Sequence, residues 1–232
     1  MPEKPLGRKA YGSIGHLPNS RRGPADHGLD PGQGRICTER VRDKHDVVIV
    51  QEKLDGSNVA VARVKGQFMA LGRAGWPARS SRYEQHQWFA VWVQRNEARF
   101  DFLGEGQWLS GEWLAQAHGT RYDLTGREPF VAFDWFQDGK RTPFDEFTRT
   151  CASRFVLPKQ LHGGKALSVA AALTLLGEFG HYGALDPAEG VVYRVERKGK
   201  VDFLAKYVRP DKVDGLYLPE ISGKDAVWNW RP

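Results

Sequence analysis

The stretch VVIVQEKLDGSNVAV, Val47 to Val61, sets Lys53 between two apolar runs and follows it with the tight-turn pair Asp55-Gly56. VVIVQE reads as a strand, and NVAVARV pairs with FMALGR as a hairpin about Lys65-Gly66. A lysine ending a buried-looking strand is usually a solvated surface residue. Its chemical alternative is a nucleophile. Nζ would attack the α-phosphate of a nucleotide to give a lysyl phosphoramidate, and the Gly56 turn would let backbone approach the ligand. A lysine at its ordinary pKa of about 10.4 is protonated near neutrality and cannot attack. The chemical reading therefore requires burial, another cation or a bound metal to favour the neutral amine.

Outward from this stretch the texture is that of an α+β domain with largely antiparallel sheets. Ser81 and Glu84 are spaced as a capping box ahead of a helix carrying Trp88, Val91 and Trp92. GQWLSGEWLAQ and PFVAFDWFQ read as strands, and Thr142-Pro143 opens a second helical segment running through Phe155. SVAAALTLLGEFG predicts a third helix, with Ser168 as cap and Gly180 near its end. EGVVYRVE and KVDFLAKYV predict a hairpin turning at Lys198-Gly199. Residues 1–46, rich in Gly, Pro and Arg, show no sustained period and read as an irregular arm or cover.

Composition narrows the function classes. A chain of 232 residues, 41% hydrophobic, has ample material for a core, and its net charge of +6 favours polyanionic partners without requiring them. Cys37 and Cys151 suit neither a metal site nor a disulfide framework, so a reducing, cytoplasmic setting is expected. No apolar run approaches ~18 residues and no signal peptide is evident, so no membrane partner is expected.

EKLDGSN, GRAG, SGEW, VAFDWF, EGVVYR and LAKYV follow one another in order across residues 47–209. In this the chain resembles the covalent nucleotidyltransferase superfamily of RNA ligases, DNA ligases and capping enzymes. Asn58, five residues after Lys53, is similar to the RNA ligase 2 branch, where DNA ligases and capping enzymes usually carry arginine. The resemblance implies an ATP-dependent RNA ligase that joins 5′-phosphate and 3′-hydroxyl RNA ends through lysyl-AMP, with Mg2+ or alternatively Mn2+ as cofactor and RNA repair as its setting.

The same resemblance implies the roles. Lys53 is the nucleophile, with Glu52 beside it in the nucleotide-binding set, and Asn58 serves the phosphate and metal region. Arg73, twenty residues beyond Lys53, contacts phosphate or the nucleic-acid end. Glu112 binds the ribose side, Phe133 stacks on the base and Glu189 binds the metal or its waters. Arg194 replaces a motif lysine, and Lys206 contacts the α-phosphate. Arg194 has a plainer alternative as a counter-charge to Glu196, and Lys206 as an edge-strand charge. The family's last motif usually has two lysines one residue apart; here Arg209 either substitutes for the second or one phosphate contact is missing.

The 23 residues after Arg209 read as an extension too short for an oligonucleotide-binding barrel. This expectation argues against a DNA-nick ligase and suggests help from a separate RNA-binding or end-healing protein. Arg73, Arg79 and Arg82 lie close to Trp76 and Tyr83 in sequence, a composition suited to phosphate contact and base stacking. A catalytically silent nucleic-acid-binding module is the rival from another class; incorporation of label from ATP separates the two.

Overall fold

The computed structural model describes residues 3–232. In chain order its elements begin with β1 (Gly15–His16), α1 (Pro31–Thr38), β2 (Asp46–Lys53), β3 (Ser57–Val64), β4 (Gln67–Gly72), α2 (Glu84–Arg95) and β5 (Trp108–Trp113). They continue with β6 (Phe130–Gln137), β7 (Lys140–Arg141), α3 (Phe144–Cys151), β8 (Gln160–Gly164), α4 (Val169–Leu176), β9 (Gly190–Arg197), β10 (Lys200–Val208) and α5 (Pro219–Ser222). The strands form two five-stranded sheets, ordered β1-β10-β9-β2-β8 and β4-β3-β5-β6-β7. Every ladder between these strands is antiparallel except the short one joining β1 to β10. Lys65-Gly66 and Lys198-Gly199 turn their hairpins with both residues at positive φ, as the twist of a two-residue loop demands.

β2 lies inside the first sheet, between β9 and β8. Val48 and Val50 join a core with Leu17, Val191, Tyr193 and Ala205, whereas Ile49 joins the aromatic core of Phe89, Trp113 and Phe130. Burial on both faces explains the apolar run Val48 to Val50, whereas Val47 at its start is exposed. Each such side chain removed from water contributes about 1.5–3 kcal/mol, so β2 is among the strands that define the fold.

Several boundaries differ from the sequence reading. The capping box of Ser81 and Glu84 does not form: α2 starts after Tyr83, and Ser81 Oγ instead accepts the Tyr83 N–H at 3.2 Å and meets His86 Nδ1 at 2.9 Å. α3 ends at Cys151 rather than Phe155, and α4 at Leu176, with Gly177 rather than Gly180 as its cap. Ser168 does cap α4, accepting from Ala171 N. Neither β8 nor α1 was expected. In α1, Asp30 Oδ1 accepts the N–H groups of Gly32 and Gln33 ahead of a helix whose two glycines hide it from propensity.

The N-terminal arm is more ordered than an irregular cover. Leu6, Ala10, Tyr11 and Ile14 pack on the second sheet against Ala60, Ala62, Leu71, Trp108 and Phe136. β1 then joins the first sheet beside β10. The chain's other end also returns to the body, with Trp230 against Trp113 and Trp228 against Trp88. No helix among the described residues is long and apolar enough to cross a membrane.

Candidate active site

A cavity of about 1150 Å3 is lined by residues of both sheets. The period of two decides what each strand shows it. On β2, Gln51 and Lys53 share the face of Ile49, while Glu52 shares the opposite face with Val48 and Val50. On β9, Val192 and Arg194 line the cavity, while Val191, Tyr193 and Val195 enter the outer core. On β10, Leu204 and Lys206 line it, while Ala205 and Tyr207 face away.

The second sheet supplies Asn58 and Glu112, which are partners across the β3–β5 ladder. Phe133 arrives by another device. The β5–β6 register slips between Ser110/Asp134 and Gly111/Ala132, leaving Phe133 as the extra residue of a bulge. A bulge re-aims a side chain that strict alternation would send elsewhere.

All nine residues singled out by the resemblance line this cavity. Lys53 Nζ donates to Glu189 Oε2 at 2.6 Å. Glu112 Oε1 accepts the Gly56 N–H at 3.0 Å, tying the turn after the lysine to β5. That turn requires glycine, since a Cβ on Gly56 would lie 2.6 Å from the Trp113 carbonyl oxygen. Asp55 Oδ2 fixes its other side by accepting from Gly119 N and Thr120 Oγ1, both at 3.0 Å.

Burial by itself works to lower the pKa of Lys53, but the Glu189 and Glu112 carboxylates outweigh it and hold the amine protonated above its ordinary range. The sequence-based expectation that burial could supply the neutral amine is thus corrected. Burial pushes both Glu189 and Glu112 up to about 7, against the pull of Lys53. Lys206 is lowered, first by burial and then by repulsion from Lys53.

Two of the nine point their functional groups elsewhere. The Glu52 carboxylate accepts the His181 N–H at 3.0 and 3.1 Å, as its outward face dictates, so only its backbone is free to serve a nucleotide. The buried Arg194 guanidinium pairs with Asp134 and has Glu196 at 3.6 Å. Asp134 also accepts from Tyr11 Oη at 2.6 Å and Arg141 Nε at 3.0 Å, so it gathers β9, β7 and the arm. Arg194 is therefore a post between the sheets. Arg73 stands exposed on the cavity wall that also bears Trp76 and Tyr83.

Sequence reasoning missed Tyr11, whose ring meets Phe133 edge-on at 5.2 Å, and Asp26, which lies 3.2 Å from Lys206 Nζ. It also missed His86 and His118, which line the cavity beside Ser57, hydrogen-bond with Ser57 or Gln85, and are pushed down to about 4 by burial. Isolated histidines at positions 86 and 118 carry no spacing signal; only the fold joins them.

The RNA ligase family model matches residues 46–208. The chain belongs to the RNA ligase family. This RNA ligase family chain is also similar to solved structures. An archaeal ATP-dependent RNA ligase, form 2, shares 20% identity at a TM-score of 0.53, over 83% of this chain and 48% of that one. The Naegleria gruberi RNA ligase with PPi shares 18% at 0.53, over 78% and 53%. A lysine-to-alanine mutant of the Naegleria gruberi RNA ligase with ATP and Mn shares 17% at 0.53, over 86% and 60%. The RNA ligase family chain thus spans about half the length of the first two structures, and the likeness establishes the nucleotidyltransferase fold of RNA ligases. No curated protein sequence matches it.

Proposed function

We propose that the chain is the catalytic unit of an ATP-dependent RNA ligase that passes AMP from ATP to Lys53, then to an RNA 5′-phosphate, which a 3′-hydroxyl attacks with loss of AMP. The observation that carries this reading is Lys53 at the end of a buried strand, between Glu189 and Glu112, in a cavity that also holds Phe133 and Lys206. At about 1150 Å3 the cavity is large enough for a nucleotide. RNA repair is the setting that such end-joining chemistry serves.

The donor set fits a divalent cation. Asn58 Oδ1 is buried without a hydrogen-bond partner, and no cluster of three or more His, Cys, Asp or Glu among the described residues forms a protein-only cage. Glu189 and Asn58 would hold an ion that keeps water and phosphate ligands, the habit of Mg2+. Such a cation supplies charge neutralisation for the phosphates and competes with Lys53 for Glu189.

Lys53 Nζ, once its ammonium has lost a proton to solvent, forms the N–P bond as the bond between the α-phosphorus and the bridging oxygen breaks and pyrophosphate leaves, and the nitrogen then gives up a second proton to solvent. Lys206 opposes the charge that develops on the α-phosphate. Phe133 offers a ring face for the base, and Val192 and Leu204 supply apolar wall from the facing sheet. Arg73, exposed on the cavity wall, would meet the incoming phosphate end.

The test is incubation with α-labelled ATP and Mg2+ followed by denaturing electrophoresis. Label remains on the wild-type chain and is absent from Lys53→Ala and Lys53→Arg, because neither side chain forms the phosphoramidate. Undiminished labelling of Lys53→Ala would sink the assignment.

A further inference from the structure

The geometry points to Asp26 as a positioning residue for AMP transfer: the N-terminal segment, laid along β10, aims the Lys206 ammonium into the cavity. This rests on the reading of Lys206 as an α-phosphate contact. β1 pairs with β10 so that His16 stands opposite Lys206, and Leu17 N donates to the Lys206 carbonyl at 2.9 Å. The chain then folds back. Ser20 Oγ accepts the Val208 N–H at 2.9 Å and meets His16 Nδ1 at 2.7 Å, and Arg21 N donates to the Val208 carbonyl at 3.0 Å. This return brings Asp26 to Lys206, with Oδ1 accepting from Nζ at 3.2 Å.

Asp26 is itself held in place. Its Oδ2 accepts the Gly23 N–H at 2.9 Å. His16 Nε2, fully buried, approaches the same oxygen to 3.2 Å without the alignment of a hydrogen bond. A lysine ammonium has three donors, so one bond to Asp26 leaves two for a phosphate. The contact therefore orients Lys206 without consuming it.

Electrostatics gives the clamp a second effect. The charged or titratable groups facing Lys206 are Lys53 from β2, Glu189 ahead of β9, and Asp26 and His16 from the arm, with Arg22 near His16. Burial and Lys53 work to strip the proton from Lys206, whereas Asp26 works to keep it. A group with a lowered pKa loses its charge as pH rises. Without the Asp26 carboxylate that loss comes at lower pH.

The experiment compares wild type, Asp26→Asn, Asp26→Ser and Asp26→Glu. One readout is the initial rate of AMP labelling across pH. The other is the pH dependence of Lys206 acetylation by acetic anhydride, read by mass spectrometry on the peptide that contains it. In Asp26→Asn and Asp26→Ser, labelling falls about tenfold at the alkaline end and much less near neutrality, and Lys206 becomes reactive at lower pH. Asp26→Glu restores most of both. Melting curves confirm that the variants fold, which the partial exposure of Asp26, 29%, favours.

Uniform loss of labelling at every pH with unaltered Lys206 acetylation would show a merely structural role and overturn the inference. So would unchanged labelling and acetylation in both uncharged variants. If wild type takes no label from ATP, the ligase reading fails, while the acetylation profile still tests the contact of Asp26 with Lys206.

Discussion

Two carboxylates bear on Lys53 from opposite sheets, Glu189 ahead of β9 and Glu112 on β5, and their field holds its amine protonated. Removing one negative charge should make Lys53 a better base-free nucleophile while depriving the site of its phosphate-side chemistry. Glu189→Gln is thus expected to raise the reactivity of Lys53 toward a small acylating reagent and to cut AMP labelling by about two orders of magnitude. Parallel changes in both readouts would contradict this division. The raised pKa of Lys53 also fixes the sign of the pH response in the wild type. The neutral fraction grows with pH, so labelling should climb from neutral into mildly alkaline solution until Lys206, whose pKa is lowered, begins to lose its charge. Arg73, exposed at the cavity wall, should behave differently. Arg73→Ala is expected to reduce sealing of a nicked RNA about tenfold or more while leaving self-labelling within a few-fold, measured as separate steps. Equal losses would move Arg73 into the nucleotide pocket.

Turns and strands, rather than catalytic groups, explain why these residues meet. Gly56→Ala should weaken the protein by about 2 kcal/mol in urea unfolding and slow labelling, since the new Cβ collides with the backbone of β5. Asp134→Asn should cost about 3–5 kcal/mol, because buried Arg194 loses the charge that balances it. A smaller loss would mean that Glu196 takes over. The sequence made β2, β3, β9 and β10 legible because two-sided burial and Lys-Gly turns leave strong marks. Motif order grouped Glu52 with Lys53, and only the strand's period of two, seen in the fold, sends their side chains to opposite faces. The bulge at Phe133 left no such mark: one extra residue in a ladder is invisible until its partner strand is known. α1 was hidden by its glycines, and Asp26 by lying on a loop whose importance comes only from a strand pairing across most of the chain. The Arg194 to Asp134 post was likewise unreadable, since the nearer acid in sequence is Glu196.

Across the whole molecule, a net charge of +6 combines with Arg73, which lines the cavity with Trp76 and Tyr83, and with Arg79 and Arg82 in the same segment of chain. Two or three phosphate contacts lose on the order of tenfold in affinity as salt rises from about 50 to 200 mM. Sealing should therefore fall steeply over that range while AMP labelling changes little, and salt-insensitive sealing would place RNA binding on uncharged surface. The arm ties the two sheets together, through Tyr11 to Asp134, 123 residues away, and through Ser20 to Val208, 188 residues away. Contacts so distant along the chain are slow to form, because long loops must close before they are rewarded. The sheets can acquire their hairpins early, but the segment that frames Phe133 and Lys206 has nowhere to dock until both exist. After dilution from denaturant, tryptophan fluorescence should thus recover ahead of the ability to take up AMP, and the interval between the two signals measures how long the chain exists as a folded scaffold with an unfinished pocket.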